Sequence, residues 1–416
     1  MNFEISSPPA GARQRDALGG KPLEGRALVT AMCLAQLGSL LPHVTLPAIM
    51  AEHLMPLWGL SAAQAGLMAS AYALGYTAAV PVLTGLTDRF DARLILFAGS
   101  MVSGLATIAF GLFADGLATA SLWWGLAGIG FGGAYMPGLK ALTDRLPPGD
   151  TSRSVTLYTA CFSVGVGLSF LISQIVADHW GWRAAFLVTG LGPLAMAAVC
   201  LKLAPFTPAR MPGHPLDFRP VFRNRAALGY ILGYGVHCFE LYGMRTWIVA
   251  FWTFVAAHSG GTWLSAIAVS VVVTLLSLPA SVAGNEAALR FGRHRAIVLI
   301  MIASAAVAIA IGLSATASPL LLLALVLLYG ITVPADSGAL TSGMSLSAVP
   351  AQRGATMALH STVGFGLSAL GAWATGVALD AAGGPASGSG WLAAFVVLAA
   401  GALLGPLALW WSRAKS

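Results

Sequence analysis

Charge is what this sequence has least of. Only 9% of its 416 residues are Asp, Glu, Lys or Arg, and just 15 of them are acids. A soluble chain of this length would show a charged face returning with a 3.6-residue period along its helices. The apolar segments here have no such face. Cysteine is also scarce: Cys33, Cys161, Cys200 and Cys238 stand on separate apolar segments without any C-x-x-C spacing. That speaks against a disulfide framework and a thiolate metal centre, and leaves them as small packing residues. Histidines never recur at metal-ligand spacing, so no metal is expected. No phosphate-binding loop of Walker type occurs, which removes an ATP-driven pump. Nowhere do a nucleophile, a base and an orienting group stand together, so neither an enzyme nor a cofactor is expected. Residues 1–26 contain no apolar core and are not read as a cleaved leader.

What the chain has in abundance is apolar length. Hydrophobic residues reach 57%, mean hydropathy is +0.80, and glycine is frequent at 49 residues, as suits membrane helices that pack closely. Twelve mostly apolar runs, from 27–51 to 391–411, are each near the roughly 20 residues that a spanning helix needs. The fold class expected is an all-α membrane protein with twelve transmembrane helices. Basic residues then set the orientation. With the N-terminus inside, 20 of the 22 Lys and Arg fall in tails or even-numbered loops on one side. Both termini are therefore expected in the cytoplasm, the chain lying multi-pass in the inner (plasma) membrane. The formal charge of +7 is thereby a topology signal, and no nucleic-acid partner is expected.

The order repeats. Arg89-Phe90-Asp91-Ala92-Arg93 returns as Arg290-Phe291-Gly292-Arg293-His294-Arg295, and Arg153-Ser154-Val155-Thr156 as Arg353-Gly354-Ala355-Thr356. Gly165-Val166-Gly167-Leu168-Ser169 returns as Gly364-Phe365-Gly366-Leu367-Ser368, and Gly181-Trp182-Arg183-Ala184-Ala185-Phe186 as Gly390-Trp391-Leu392-Ala393-Ala394-Phe395. The offsets are 201, 200, 199 and 209 residues, in the same sequence order. Such spacing describes two parallel six-helix repeats. The divisions expected are a tail at 1–26, a bundle at 27–203, a cytoplasmic loop at 204–225, a second bundle at 226–411 and a tail at 412–416.

Between the second and third runs lies the charged hairpin Thr84-Gly85-Leu86-Thr87-Asp88-Arg89-Phe90-Asp91-Ala92-Arg93. Together with the twelve runs, the weaker copy at 290–295 and the Gly-Trp-Arg after the fifth run, it resembles the loop between helices 2 and 3 of the major facilitator superfamily. The resemblance covers residues 27–411. It implies a central cavity lined by helices 1, 4, 7 and 10, two halves that rock about it, and a conformational-switch role for Asp88, Arg89 and Arg93. Asp88 is then expected beside the start of helix 11, around Arg353–Ala355, where a helix N-terminus favours an anion. Trp124 stands near the place where many members carry an Arg linked to proton coupling. The G-P-x-x-G-G pattern of drug antiporters is absent.

Ionisable residues inside spans are costly and face a cavity or a partner. His43, Lys140, His237, Glu240, Arg245, Asp336 and His360 are the candidates, six of them in the first, fourth, seventh or tenth run. Glu240 reads either as a proton carrier or cation binder, or as the structural partner of Arg245 or His237. Arg245 offers a planar fork for carboxylate or phosphate, or it pairs internally. Tyr135 is among the aromatic residues able to stack on a solute. Pro137-Gly138-Leu139-Lys140 and Pro334-Ala335-Asp336-Ser337 occupy matching places, 197 residues apart. Lys140 and Asp336 are therefore expected to pair at an inner gate when the inner side closes, or to compete with an anionic solute for Lys140; or else Lys140 snorkels to headgroups while Asp336 bonds locally. The function expected is secondary transport of a small organic solute by alternating access, with a lean to anionic ones and to uptake with protons. An exporter of the same fold and a non-transporting membrane sensor are the alternatives. Partners expected are the solute, the lipid bilayer and protons, around a monomer.

Overall fold

The computed structural model describes residue 17 and residues 19–147, 151–208, 218–349 and 352–412. Most of the tail at 1–26, the middle of the 204–225 loop and nearly all of the tail at 412–416 lie outside the described residues. Helix α1 starts as Gly25–Ser39, breaks, and resumes as Thr45–Ile49, a π turn at Met50–Leu54 and Met55–Trp58. Helices α2 (Ala62–Leu86) and α3 (Ala92–Phe113) are continuous, whereas α4 comes in two pieces, Leu117–Gly132 and Tyr135–Thr143. Then come α5 (Thr151–Trp180) and α6 (Trp182–Cys200). After a short helix at Arg219–Arg223 come α7 (Arg225–His258), α8 (Ala266–Phe291) and α9 (Arg293–Leu313). Helix α10 joins Pro319–Thr332 to Ser337–Ser347 through a 3₁₀ turn at Val333–Asp336, and α11 (Arg353–Ala381) and α12 (Gly388–Ser412) end the chain. Among the described residues there is no strand, and nine helices are long and apolar enough to cross a membrane. The three helices outside that count are the broken α1 and α4 and the polar α7.

Packing follows the repeat. In the first six helices α1 packs on α5 and α6, α2 on α4, and α3 on α4 and α6; in the second six, α7 packs on α11 and α12, α8 on α10, and α9 on α10 and α12. Helix α2 against α11, and α5 against α8, join the two sets. Small residues make the close crossings possible. A Cβ on Gly128 of α4 would strike the Tyr72 carbonyl of α2, and one on Gly284 of α8 would strike the Ala335 carbonyl of α10. The Gly-Trp echo is structural as well: Phe186 stacks on Phe110 at 3.9 Å, and Trp391 with Phe395 packs around Phe251. Leu67, Leu105, Leu275, Leu328 and Leu404 are among many large apolar side chains left on the outside, the surface that lipid covers.

Three runs expected as unbroken helices are interrupted, each for a visible reason. Pro42 stands in the α1 break, Gly132-Gly133 at the α4 break and Pro334 in the 3₁₀ turn of α10. Freed backbone groups at membrane depth need partners inside the protein. In α1 they find Ser169 of α5, whose hydroxyl donates to the Leu41 carbonyl at 2.6 Å and accepts from Val44 N–H at 3.1 Å. Candidate residues sit at all three interruptions: His43 within the first, Tyr135 just past the second, Asp336 in the third.

Each half brings its own first and last helices together at the end of the bundle where the 204–225 segment joins the halves. Leu23 N–H reaches the Lys202 carbonyl, and Arg225 lies over the Trp411 ring at 4.7 Å. We call this the terminal end, and the end where α1 meets α2 the distal end.

Candidate functional site

The break in α1 aims His43 into the middle of the molecule, between the two sets of helices. Its ring sits among Tyr72, Phe131, Phe162 and Tyr242 at centroid distances of 5.2 to 5.9 Å, and Nε2 lies 3.3 Å from the Tyr242 hydroxyl. One turn along α7 from Tyr242 is Arg245. Its guanidinium is buried, lies 5.6 Å from the centre of the Tyr242 ring, and donates one long bond of 3.4 Å to Ser277 Oγ of α8. It forms no ion pair among the described residues. His43, Tyr72, Trp124, Tyr242, Arg245 and Phe365 all line one cavity of about 30 Å³. That is room for about two water molecules, so the pocket is contracted.

Glu240 does not pair with Arg245 or His237. It turns into the second set of helices, where Oε1 accepts from Ser304 of α9 at 2.7 Å and from Tyr329 of α10 at 3.0 Å. His237 instead meets Asp336, with Nδ1 and Oδ1 2.6 Å apart and both side chains buried. Tyr234 stacks on His237 and on His360, at 5.6 and 3.8 Å, and His360 Nε2 lies 3.5 Å from Thr341 Oγ1. Tyr135 is half-buried and stacks on Phe131 and Tyr158. So the structure gathers His43 with Arg245 and His237 with Asp336 and His360, and sets Glu240 apart.

The expected Lys140–Asp336 pair is absent from this structure. Lys140 bonds Asp144 one turn along its own helix, at 3.1 Å, while Asp336 is taken by His237. A four-residue helical spacing satisfies the lysine locally, and a turn in 3₁₀ form swings Asp336 toward α7. At the terminal end Asp88 and Arg89 are exposed, and Asp88 makes no ion pair among the described residues, including with the start of α11. The anchor of that hairpin is Asp91, which sequence reasoning passed over. Its carboxylate accepts twice from Arg145, at 2.8 and 2.9 Å, and from Phe206 N–H at 2.9 Å, with Arg93 Nε 3.1 Å away. Arg93 also donates to the Leu203 carbonyl at 2.7 Å.

The distal end is tied across the two sets. Asp380, at the end of α11, accepts from Ala62 N–H at 2.9 Å and Ala63 N–H at 2.7 Å, capping the N-terminus of α2. Thr253 of α7 donates to Glu52 of α1 at 2.6 Å, and Gln174 of α5 to Ser270 of α8 at 3.3 Å. Ser70 of α2 donates to the Ala369 carbonyl of α11 at 2.5 Å. These cross-set hydrogen bonds, with the His43–Tyr242 contact, lie at the middle or the distal end. No metal site was expected from the sequence; Glu52, His53 and Asp178 nonetheless bring three ligand atoms within 4.8 Å of one another there. All three are already engaged, Glu52 by Thr253 and His53 by Asp178 at 3.5 Å.

Comparison with known proteins agrees with this architecture. The probable hexose phosphate transport protein of Chlamydia pneumoniae is 25% identical over 159 residues, 38% of this chain and 35% of that protein. The niacin transporter NiaP of Acinetobacter baylyi is 28% identical over 148 residues, 36% and 33% of the two chains. Each match thus spans about a third of the relative's length. The crystal structure of a bacterial homolog of the human lysosomal transporter Spinster, inward-facing and unoccupied, is 18% identical. It covers 93% of this chain and 95% of that one, with a TM-score of 0.71, so the fold is shared. The family model described as Major Facilitator Superfamily matches residues 28–372. With that match spanning most of a chain whose helices pack as two repeats about a central pocket, this protein belongs to the major facilitator superfamily.

Proposed function

We propose that this protein is a secondary active transporter that carries a small organic anion across the inner membrane, with both termini in the cytoplasm. One observation carries the anion: Arg245 is buried in the central pocket with no carboxylate among the described residues to pair with. An uncompensated charge at that depth is expensive, and it is retained where a ligand supplies the counter-charge. The two similar transporters, named for niacin and for hexose phosphate, support the same lean, both solutes being acidic. The halves at 27–203 and 226–411 rock about the pocket as a monomer, linked by 204–225.

Uptake is driven by protons in this reading, and the buried His237–Asp336 pair holds the proton. Asp336 sits in the 3₁₀ turn of α10, where a change in its charge alters the hold of α7 on α10. Right-side-out vesicles given a panel of labelled organic acids test the proposal. The wild type accumulates at least one acid under an inward proton gradient and loses that accumulation when the gradient is collapsed. Arg245→Ala lowers uptake more than about tenfold, in line with truncating one member of a buried charge pair. Asp336→Asn abolishes uphill accumulation but still exchanges solute. Full uptake by Arg245→Ala would overturn the anion site, and proton-driven accumulation by Asp336→Asn would overturn the proton site.

A further inference from the structure

Three polar atoms around the central pocket are buried without a hydrogen-bond partner among the described residues: Arg245 Nε, His43 Nδ1 and Tyr72 Oη. They come from α7, the break of α1 and α2, and all three residues line the same cavity. Hydrogen bonds left unmade in a buried place are costly, so three such atoms around one cavity describe a site shaped for something they bond. Both serines of the lining are occupied. Ser70 donates to the Gly66 and Ala369 carbonyls, and Ser368 to the Phe365 carbonyl. No acid is among the lining residues, so a cationic ligand would find no counter-charge.

The walls are flat rings. Tyr72 and Trp124 lie 5.0 Å apart at their centroids, His43 is edge-on to Tyr72 at 5.5 Å, and Phe365 and Tyr242 lie 5.6 Å apart. At about 30 Å³ the cavity must widen to admit a solute. A flat ring sliding between these walls asks for less displacement than a puckered ring of equal carbon count, and it gains ring–ring contact.

We propose that the transported anion is a planar aromatic carboxylate carrying a hydrogen-bonding group on its ring, the carboxylate held by Arg245 and the ring group by Tyr72 and His43. This rests on the anion-transport reading above and narrows it.

Calorimetric titration of the detergent-purified protein with benzoate, 4-hydroxybenzoate and cyclohexanecarboxylate tests it. Benzoate binds about fivefold more tightly than cyclohexanecarboxylate, the worth of one aromatic contact. 4-Hydroxybenzoate binds about fivefold more tightly again, the worth of one hydrogen bond. In Tyr72→Phe or His43→Phe the ratio of 4-hydroxybenzoate to benzoate affinity falls toward one, which reads the hydroxyl contact independently of any general loss of binding. Equal affinity for benzoate and cyclohexanecarboxylate, or a hydroxyl preference that survives in both variants, overturns the aromatic assignment while leaving anion transport standing. Binding of none of the three, or binding that survives Arg245→Ala, overturns the anion site itself.

Discussion

Arg145 and Arg245 are both buried guanidiniums, and the protein houses them in opposite ways. Arg145, at the terminal end, uses every face of its fork. Nη2 meets both Asp91 oxygens, Nε donates to the Ala204 carbonyl at 2.8 Å and Nη1 to the Ala141 carbonyl at 2.9 Å. Arg245, at the centre, has one long bond to a hydroxyl and the face of a tyrosine. The first ties the α2–α3 hairpin to the ends of α4 and α6, so its charge is spent on structure. The second has its charge left over. Burial alone therefore says little about a charged residue; its partner list separates scaffold from site.

The contrast between the two arginines is largest in what Arg145 does for stability. Arg145→Ala leaves the Asp91 carboxylate buried with fewer donors, at a cost of about 3–5 kcal/mol. We expect a large fall in the melting temperature of purified protein, and an unchanged melting temperature would erase the distinction between the two arginines. Arg245→Met sharpens it from the other side. Removing an uncompensated buried charge is expected to be neutral or stabilising, by up to about 1–4 kcal/mol, while solute uptake is lost. A variant that is both unstable and inactive would instead make Arg245 a structural residue.

Asp380→Ala probes the distal tie at a smaller cost, about 1 kcal/mol for a lost N-terminal cap on an exposed residue. In a background freed of the native cysteines, a cysteine at Ser70 should then react severalfold faster with a membrane-impermeant maleimide added from the distal side. An unaltered rate would mean that the other distal contacts suffice. The smallest effect belongs to Glu240→Gln. Both donors, Ser304 and Tyr329, bond the same oxygen, and an amide oxygen accepts them equally, so stability changes by less than about 1 kcal/mol. Proton-driven accumulation persists if Asp336 holds the proton; its loss in Glu240→Gln would transfer that role to Glu240.

Much of the fold was legible in the chain because its signals are local. A run of apolar residues near 20 marks a span wherever it stands, and the repeat shows as echoes such as Gly165-Val166-Gly167-Leu168-Ser169 and its copy. The interruptions were less legible. Pro42 and Pro334 lie within runs apolar enough to read as continuous helix, and only the partner that rescues the backbone, Ser169 for α1, explains why the break holds there. Of the candidate residues, His43, Arg245 and His237 were found because an ionisable group in an apolar run stands out. Tyr72 was not distinguished from other aromatics, since an unpaired hydroxyl is a property of its surroundings. Asp91 was passed over because the resemblance gave roles in that hairpin to Asp88, Arg89 and Arg93 alone. Asp88 is exposed in this structure.

By itself the sequence determined that the chain crosses a membrane many times, that it is built as two parallel repeats, and which few residues carry polar chemistry into the apolar interior. Those properties are one-dimensional: hydropathy, charge and period are summed along the chain. Only the tertiary structure decided which of those residues are partners. Arg145 finds Asp91 54 residues back, Glu240 finds Tyr329 89 residues on, and the α2 N-terminus finds Asp380 more than 300 residues away. A side chain's place on a helix is set by the helical period, but what that face meets depends on how twelve helices cross. A backbone break of a few residues is enough to turn His43 into the pocket and Asp336 toward His237.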